Sequence, residues 1–342
     1  MSSVAPRDLA VLLNGNARRV NKKVKDAFTG LISPDDLFYS ANLRDSRTIA
    51  RTVVDKKYRT ILTGGGDGTF ATFLTHIYTY MQQAGITDYS PRFGVLKLGT
   101  GNAMAATFGA STVNRENLAS ELYYAANGAS TKDLRLIEVE GKRTPFTGLG
   151  MDAMILNDYI AVKEMMSGTP LQQTSKGILG YGIGLMTMSI PRYFMQKPPE
   201  AVIVNEGEEM WRIDGNGKRR GPIFRKGDVI YKGPVKMISA SKVPYYGFEF
   251  KLFPFAMINN NKFHLRVHNA SGLEALGYLP TIWKGNYSSE TVFDFLADNI
   301  AVYLSSPAPF QIGGDGEGWR SYAKFSLCDN PIPIIDFKSN TH

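Results

Sequence analysis

A chain of 342 residues has room for two domains at the usual ~100–200 residues each. Its 43% hydrophobic and 20% charged residues describe an ordinary folded protein and exclude a disordered tail, a collagen-like repeat and a coiled coil. Lys+Arg 39 against Asp+Glu 31 leaves a net +8, which suits phosphorylated ligands or anionic surfaces and says nothing about fold. The one cysteine, Cys328, excludes an intramolecular disulfide or a cysteine-rich zinc site and fits a reducing, cytoplasmic setting. The basic residues are scattered in short clusters without interleaved aromatics, so no single-strand nucleic-acid groove is expected.

In chain order, residues 9–13 (LAVLL) form an apolar run that predicts a buried parallel strand. Val20, Val24, Phe28 and Leu31 follow at helical spacing. Residues 37–41 predict a second strand, and Ile49, Ala50, Val53 and Val54 a second helix face. Residues 58–63 predict a third strand, and Phe70, Phe73, Leu74, Ile77, Tyr78 and Met81 a strongly patterned helix. A fourth strand covers 93–98, and a helix around Leu118, Leu122 and Ala126 ends at Gly128. This alternation predicts an α/β layered domain with a mostly parallel sheet over residues 1–133. From about Lys132 short β-rich stretches take over: 134–139, 201–204, 235–240, 247–253 and 263–267. They predict a second, largely antiparallel β-sandwich domain over 134–327, interrupted by a helical insertion at 158–193. The C-terminal residues from about 328 to 342 are candidates to return to the first domain. Pro6, Arg7 and Asp8 break any leader-like apolar run at the start. Residues 177–191 fall short of the ~20 apolar residues that a spanning helix needs and read as core.

Two glycine clusters carry the chemistry. Gly64-Gly65-Gly66-Asp67-Gly68-Thr69 follows the third strand, Gly99-Thr100-Gly101-Asn102 follows the fourth, and each opens a helix. Open α/β sheets bind ligands at the carboxyl ends of their strands. Glycines there let backbone N–H groups close on an anion at a helix N-terminus. Asp67 has two readings from the residues alone. It caps the helix beginning near Thr69, or it organises Mg²⁺ on a nucleotide, the cation relieving its repulsion of phosphate. Asn102 can bond phosphate or ribose without that conflict.

Several other motifs fall away. No G-x-x-x-x-G-K-[ST] occurs, which excludes a P-loop NTPase. Gly148-Leu149-Gly150-Met151-Asp152-Ala153 fits a dinucleotide pattern but has no βαβ unit around it. Ser239 and Lys242 spell S-x-x-K without its companion motifs. The four histidines make neither a metal cluster nor a triad, and His76 reads as structural. The late cluster Gly313-Gly314-Asp315-Gly316-Glu317-Gly318 is either a plain hairpin turn or a carboxylate poised to take the proton of an attacking hydroxyl.

Together these residues resemble the catalytic domain of the bacterial-type diacylglycerol, sphingosine and ceramide lipid kinases, which shares its fold with NAD kinases and phosphofructokinases. Gly64 to Thr69 matches that family's GGDGT signature, Leu98 to Ala103 its LGTGN segment, and Gly148 to Ala153 its GxGxDA segment. The resemblance implies an ATP-dependent kinase using Mg²⁺, with a membrane lipid as substrate: diacylglycerol first, ceramide or a sphingoid base second. It implies ATP contacts at Asn14, Asn16, Ser40, Gly64, Gly65, Gly66, Asp67, Gly68, Thr69, Thr100 and Asn102. It also implies Mg²⁺ at Asp67 through the nucleotide, a phosphate or metal role for Asp133, and catalysis by Glu317 or Asp315. A cytoplasmic enzyme attached peripherally to an anionic membrane follows, with a homodimer left open. A non-catalytic lipid or nucleotide sensor and a soluble kinase of the NAD kinase type are the alternatives. The first loop departs from the family's NPxxGG, reading Asn14-Gly15-Asn16-Ala17-Arg18. In some bacterial members an acidic turn in the β domain holds a structural Mg²⁺. Asn259-Asn260-Asn261 stands in its place, and neutral amides hold that ion poorly.

Overall fold

The computed structural model describes residues 8–17, 20–99, 101–154, 197–246, 250–270, 274, 281, 284–287 and 289–340. The apolar run at the start becomes β1 (Leu9–Asn14), with Ala10 to Leu13 wholly buried as a strand covered on both faces requires. Then come α1 (Lys22–Phe28), β2 (Leu37–Ser40), α2 (Leu43–Asp55), β3 (Thr60–Gly65), α3 (Asp67–Gln83), β4 (Arg92–Lys97), α4 (Ala103–Thr107), α5 (Arg115–Ala126) and β5 (Thr131–Leu134). The predicted apolar faces of α2 and α3 are the buried ones, Ile49, Ala50, Val53 and Val54 on α2 and Phe70, Phe73, Leu74, Ile77 and Met81 on α3, with Tyr78 half-buried; on α1 only Phe28 is buried. Asn21, Asn42 and Asn114 cap α1, α2 and α5 with their side-chain oxygens. Gly128, with φ 88, follows the end of α5.

The chain continues through β6 (Ile137–Val139), β7 (Lys142–Thr144), β8 (Phe146–Gly150), β9 (Glu200–Asn205), β10 (Met210–Ile213), β11 (Arg219–Phe224), β12 (Val229–Pro234), β13 (Met237–Ser241), β14 (Phe263–His268), β15 (Val292–Ala297), β16 (Asn299–Ile312) and β17 (Asp315–Leu327). β18 (Ile332–Ile335) then enters the first sheet, whose order is β2-β1-β3-β4-β18-β5. β1 to β4 and β18 run parallel, and β5 pairs antiparallel at the edge. Two compact units result: residues 1–136 with 141–143 and 329–342, and residues 137–140 with 144–328.

The second unit is antiparallel throughout, with neighbours in the order β11-β10-β15-β14-β13-β8-β16-β17. β16 joins two layers: its first half pairs with β9, its end pairs with β8, and its ladder to β17 shifts register between them. Pro307 lies in that shift and Pro309 borders the next one, where a ladder can spare N–H groups. The core between the layers is Leu149, Ile203, Ile238, Leu265, Phe295, Val302, Phe310, Phe325 and their neighbours, all buried. Of the predicted stretches, 134–139 is split between β5 and β6, which belong to different sheets. No strand forms over 250–253, where Phe253 and Leu252 fill a second apolar cluster instead. The predicted helical insertion at 158–193 and the apolar run at 177–191 lie outside the described residues.

Candidate nucleotide site and acidic turn

The strand order reverses between β1 and β3: the chain leaves β1 for β2 on one side, and β3 and β4 follow on the other. Open α/β sheets bind their ligands in the crevice at such a switch point. Asn14 ends β1 and the first glycine cluster ends β3, so both stand at it. Asn14 Nδ2 donates to Thr69 Oγ1 at 3.0 Å, and Thr69 Oγ1 occupies the space where a Cβ on Gly65 would be. The Asn14 Oδ1 accepts the Asn16 N–H at 2.9 Å, while Asn16 Nδ2 donates to the Ala41 carbonyl at 2.6 Å. Ser40, buried at the end of β2, accepts the Gly15 N–H through its carbonyl at 2.8 Å. The first loop is thus tied to the end of β2 and to the first turn of α3, with Gly15 in place of a stiffening proline.

The second cluster lies directly on the first. A Cβ on Gly99 would stand 2.3 Å from the Cα of Gly66 and 2.6 Å from Gly65 O and Gly66 N, so the two turns meet backbone to backbone. Asn102, at φ 55, closes the second turn on itself: its Oδ1 accepts the Gly99 N–H and its Nδ2 donates to the Gly99 carbonyl, each at 2.7 Å. Its side chain shapes the loop, a role that sequence alone did not separate from ligand contact. Thr100 lies outside the described residues.

Asp67 does not cap its own helix. It is the first residue of α3, and Gly66, the N-cap, supplies no side-chain acceptor. The carboxylate crosses to the other turn and caps α4 instead. Its Oδ2 accepts the Ala103 N–H at 2.9 Å and its Oδ1 the Met104 N–H at 2.8 Å. Burial pushes its pKa up, and those two bonds offset part of the shift. A buried carboxylate between the two glycine turns is therefore tolerated because a neighbouring helix N-terminus satisfies it. α3, 17 residues long, keeps its own N-terminus without a side-chain cap. No cluster of three or more acidic, histidine or cysteine side chains able to hold a metal occurs among the described residues. One carboxylate beside a glycine turn at a helix N-terminus would fit a Mg²⁺ that arrives with a nucleotide, since that ion takes most of its ligands from phosphate and water.

Asp133 is not brought to this place. It is exposed on β5 and pairs with Pro333, and because Ile334 pairs with Phe93 its level is that of Arg92, at the amino end of β4. From Arg92 to Leu98 is six residues, about 20 Å along the strand. An antiparallel edge strand delivers its residues to the opposite rim from the glycine turns. His76 shares a 2.9 Å hydrogen bond with Ser46 between α3 and α2, a structural position.

In the second unit the late cluster is a hairpin. Gly313 and Gly314, at φ 62 and 88, form its two-residue turn, as the right-handed twist of paired strands favours. Asp315 and Glu317 follow on one side of β17, Asp315 exposed and Glu317 half-buried. Arg320 donates to the Glu317 carbonyl at 3.0 Å and holds Glu140 through two bonds at 2.7 and 3.0 Å. The structure shows the turn: the glycines make the hairpin, and the carboxylates ride on it.

The Asn259–Asn261 turn is organised by a cation of the chain's own. The buried Lys242 Nζ donates to the carbonyls of Asn259, Asn260 and Lys262 at 3.0, 3.2 and 2.6 Å.

Residues 8–134 match the family model described as the diacylglycerol kinase catalytic domain. That match falls within the first unit. Solved structures extend the likeness in fold over nearly the whole length. A diacylglycerol kinase from Bacillus anthracis str. Sterne superposes with a TM-score of 0.62 at 13% identity, over 96% of this chain and 97% of that one. A candidate diacylglycerol kinase from the same organism gives 0.65 at 15%, over 98% and 99%. No curated protein sequence matches. No helix among the described residues is long and apolar enough to cross a membrane.

Proposed function

We propose that this protein is a lipid kinase that uses ATP to phosphorylate the primary hydroxyl of a membrane lipid, diacylglycerol first and ceramide or a sphingoid base second. One observation carries the nucleotide half of this reading. The N-terminus of α3, the longest helix described, opens at the switch point of the sheet with glycines on both sides and no side-chain cap. Backbone N–H groups and the helix dipole together favour phosphate there. Asn14 and Thr69 line the same place. Mg²⁺ brought in by the nucleotide would be held at Asp67 and would neutralise phosphate charge. Glu317 serves as base for the lipid hydroxyl, with Asp315, two residues before it on the same side of the strand, positioning or replacing it.

The membrane half rests on charge. Lys218, Arg219, Arg220, Arg225 and Lys226 are all exposed on β11 and its flanking turns, beside the exposed apolar Ile223 and Val229. Each basic residue near an anionic bilayer contributes ~1 kcal/mol, enough in sum for peripheral attachment.

Transfer of label from γ-labelled ATP to a mixed-micelle panel of diacylglycerol, monoacylglycerol, ceramide and sphingosine tests the proposal. Label on one lipid with wild type, lost in Glu317→Ala and Asp67→Ala, is the expected result. ATP binding without label on any lipid refutes the choice of acceptor and favours the sensor reading.

A further inference from the structure

The second unit contains a buried acid to which the phosphoryl-transfer chemistry assigns no part. Gln311, Gly148, Ser239, Arg266 and Asp294 are successive cross-strand partners on β16, β8, β13, β14 and β15. Cross-strand partners share a face, so these positions form one row across the sheet. Asp152, just beyond β8, enters the row over Gly148. A Cβ on Gly148 would stand 2.1 Å from Asp152 Oδ2 and 2.4 Å from Ser239 Oγ, so glycine is what admits the carboxylate. Oδ1 accepts the Ala153 N–H at 2.8 Å. Oδ2 accepts from Ser239 Oγ at 2.7 Å, Gln311 Nε2 at 3.2 Å and Tyr246 Oη at 3.4 Å. Arg266, the next charge along the row, is committed to Asp294 through two bonds at 2.7 and 2.9 Å.

A carboxylate can only accept, which settles how the Gln311 amide faces. Nε2 must point at Asp152, leaving Oε1 on the other side, where it accepts the Gly314 N–H at 2.9 Å. Gly313, the other residue of that turn, gives its N–H to the Phe146 carbonyl at 2.9 Å. Both N–H groups of the turn that leads into Asp315 and Glu317 are therefore held from within the sheet, one of them by an orientation that Asp152 dictates. We infer that Asp152 is a positioning residue for the Asp315–Glu317 turn, acting through the orientation of the Gln311 amide. What the turn does rests on the function proposed above; how it is held does not. Burial pushes the Asp152 pKa up to about 6, while the four donors around its two oxygens favour the acceptor form.

The test swaps the polarity of the pair. Asp152→Asn keeps the shape but lets Gln311 turn over, setting Nε2 against the Gly314 N–H. Adding Gln311→Glu restores the pattern in reverse. The amide introduced at position 152 then donates to the new carboxylate at position 311, whose second oxygen accepts from Gly314. Hydrogen–deuterium exchange of the peptide spanning residues 311–319, read without any lipid, should accelerate at least about tenfold in the single variant and return to the wild-type rate in the double. On the acceptor lipid, kcat should fall on the order of 10²-fold in the single variant and recover in the double, with KM for ATP unchanged throughout. A single variant with wild-type exchange, or a double variant that restores neither exchange nor kcat, overturns the inference. If Asp152→Asn does not fold, the double variant alone decides: a folded protein with a protected turn supports the inference, and an unprotected turn refutes it. Wild-type protein that labels no lipid would sink the functional proposal while the exchange measurement still stands.

Discussion

The contact between the two glycine turns makes a paired prediction, because Gly66 and Gly99 face each other and yet differ in what an added methyl would meet. At Gly99 a Cβ falls 2.3 Å from the Cα of Gly66 and 2.6 Å from two further backbone atoms. Ordinary contact begins near 3.4 Å, so the turns must part by about 1 Å, and none of the blocking atoms belongs to a side chain that can swing away. Overpacking of this kind costs typically about 1–3 kcal/mol. In a unit of this size that lowers the melting temperature by about 2–4 °C per kcal/mol. If the amides of these turns bind phosphate as proposed, a 1 Å displacement would also weaken nucleotide binding on the order of 10²-fold. At Gly66 the nearest atom to a Cβ is 3.9 Å away, and its φ of −91 and ψ of −177 suit any residue. Gly66→Ala should therefore melt within about 1 kcal/mol of wild type. Its methyl would project beside the uncapped N-terminus of α3, so ATP binding should fall although the fold is intact. Calorimetric titration with ATP, beside thermal unfolding of each variant, reads both effects. Wild-type stability in Gly99→Ala would refute the packing of the two turns. Wild-type ATP affinity in Gly66→Ala would refute the placement of phosphate over α3.

Glu121 on α5 is buried, which pushes its pKa up to about 7, although it accepts the Ser111 N–H at 2.6 Å. A carboxyl whose folded pKa is raised favours folding at low pH and loses that contribution as pH rises from its unfolded value toward 7. Glu121→Gln should therefore gain stability over wild type progressively from pH 5 to 7 and hold a constant advantage above it; an advantage independent of pH in urea titrations would refute this. Lys242→Met leaves the buried Lys262 carbonyl without its donor, while those of Asn259 and the exposed Asn260 can turn to water. A net loss of about 1–3 kcal/mol is expected, and a variant as stable as wild type would show that the ammonium does not organise the turn. Asp294 is buried, yet Arg266 and His264 outweigh that burial and hold its pKa well below the carboxylate range. Arg266→Met should cost about 3–5 kcal/mol at neutral pH by stranding this charge. The deficit should shrink as acid protonates the orphaned carboxyl, and a loss unchanged down to pH 4 would contradict the pairing.

What could be read without coordinates follows from how local each signal is. The helices of the first domain were legible because an amphipathic face repeats within one turn, and Phe70, Phe73, Leu74 and Ile77 announce which side of α3 is buried. The glycine clusters were legible as turns for the same reason. Their mutual contact was not, because the closeness of Gly66 and Gly99 is a fact about neighbouring strands. Asp67 is the sharpest case. Helix-start rules assign a carboxylate to its own helix, and the structure gives both its oxygens to a helix that begins 36 residues later. The reason is energetic: a buried carboxylate at the start of α3 must find donors, and the first two amides of α4 are already pointing at it with no cap of their own. Asp133 misled for the opposite reason. A short motif says nothing about strand direction, and one antiparallel edge strand was enough to carry it to the far rim. In the second domain β10, β11, β12, β15, β16 and β17 passed unnoticed, since strands covered on both faces, as β15 is, or exposed on both, as β11 is, lose the alternation that marks them. Asp152 had one available signal: an acid directly after Gly148-Leu149-Gly150-Met151, where a glycine aligned with Gln311 and Ser239 leaves room for it. Reading that signal required the register of three strands, which pairing alone reveals, and the residues that pairing aligned are the ones that now hold the acidic turn in place.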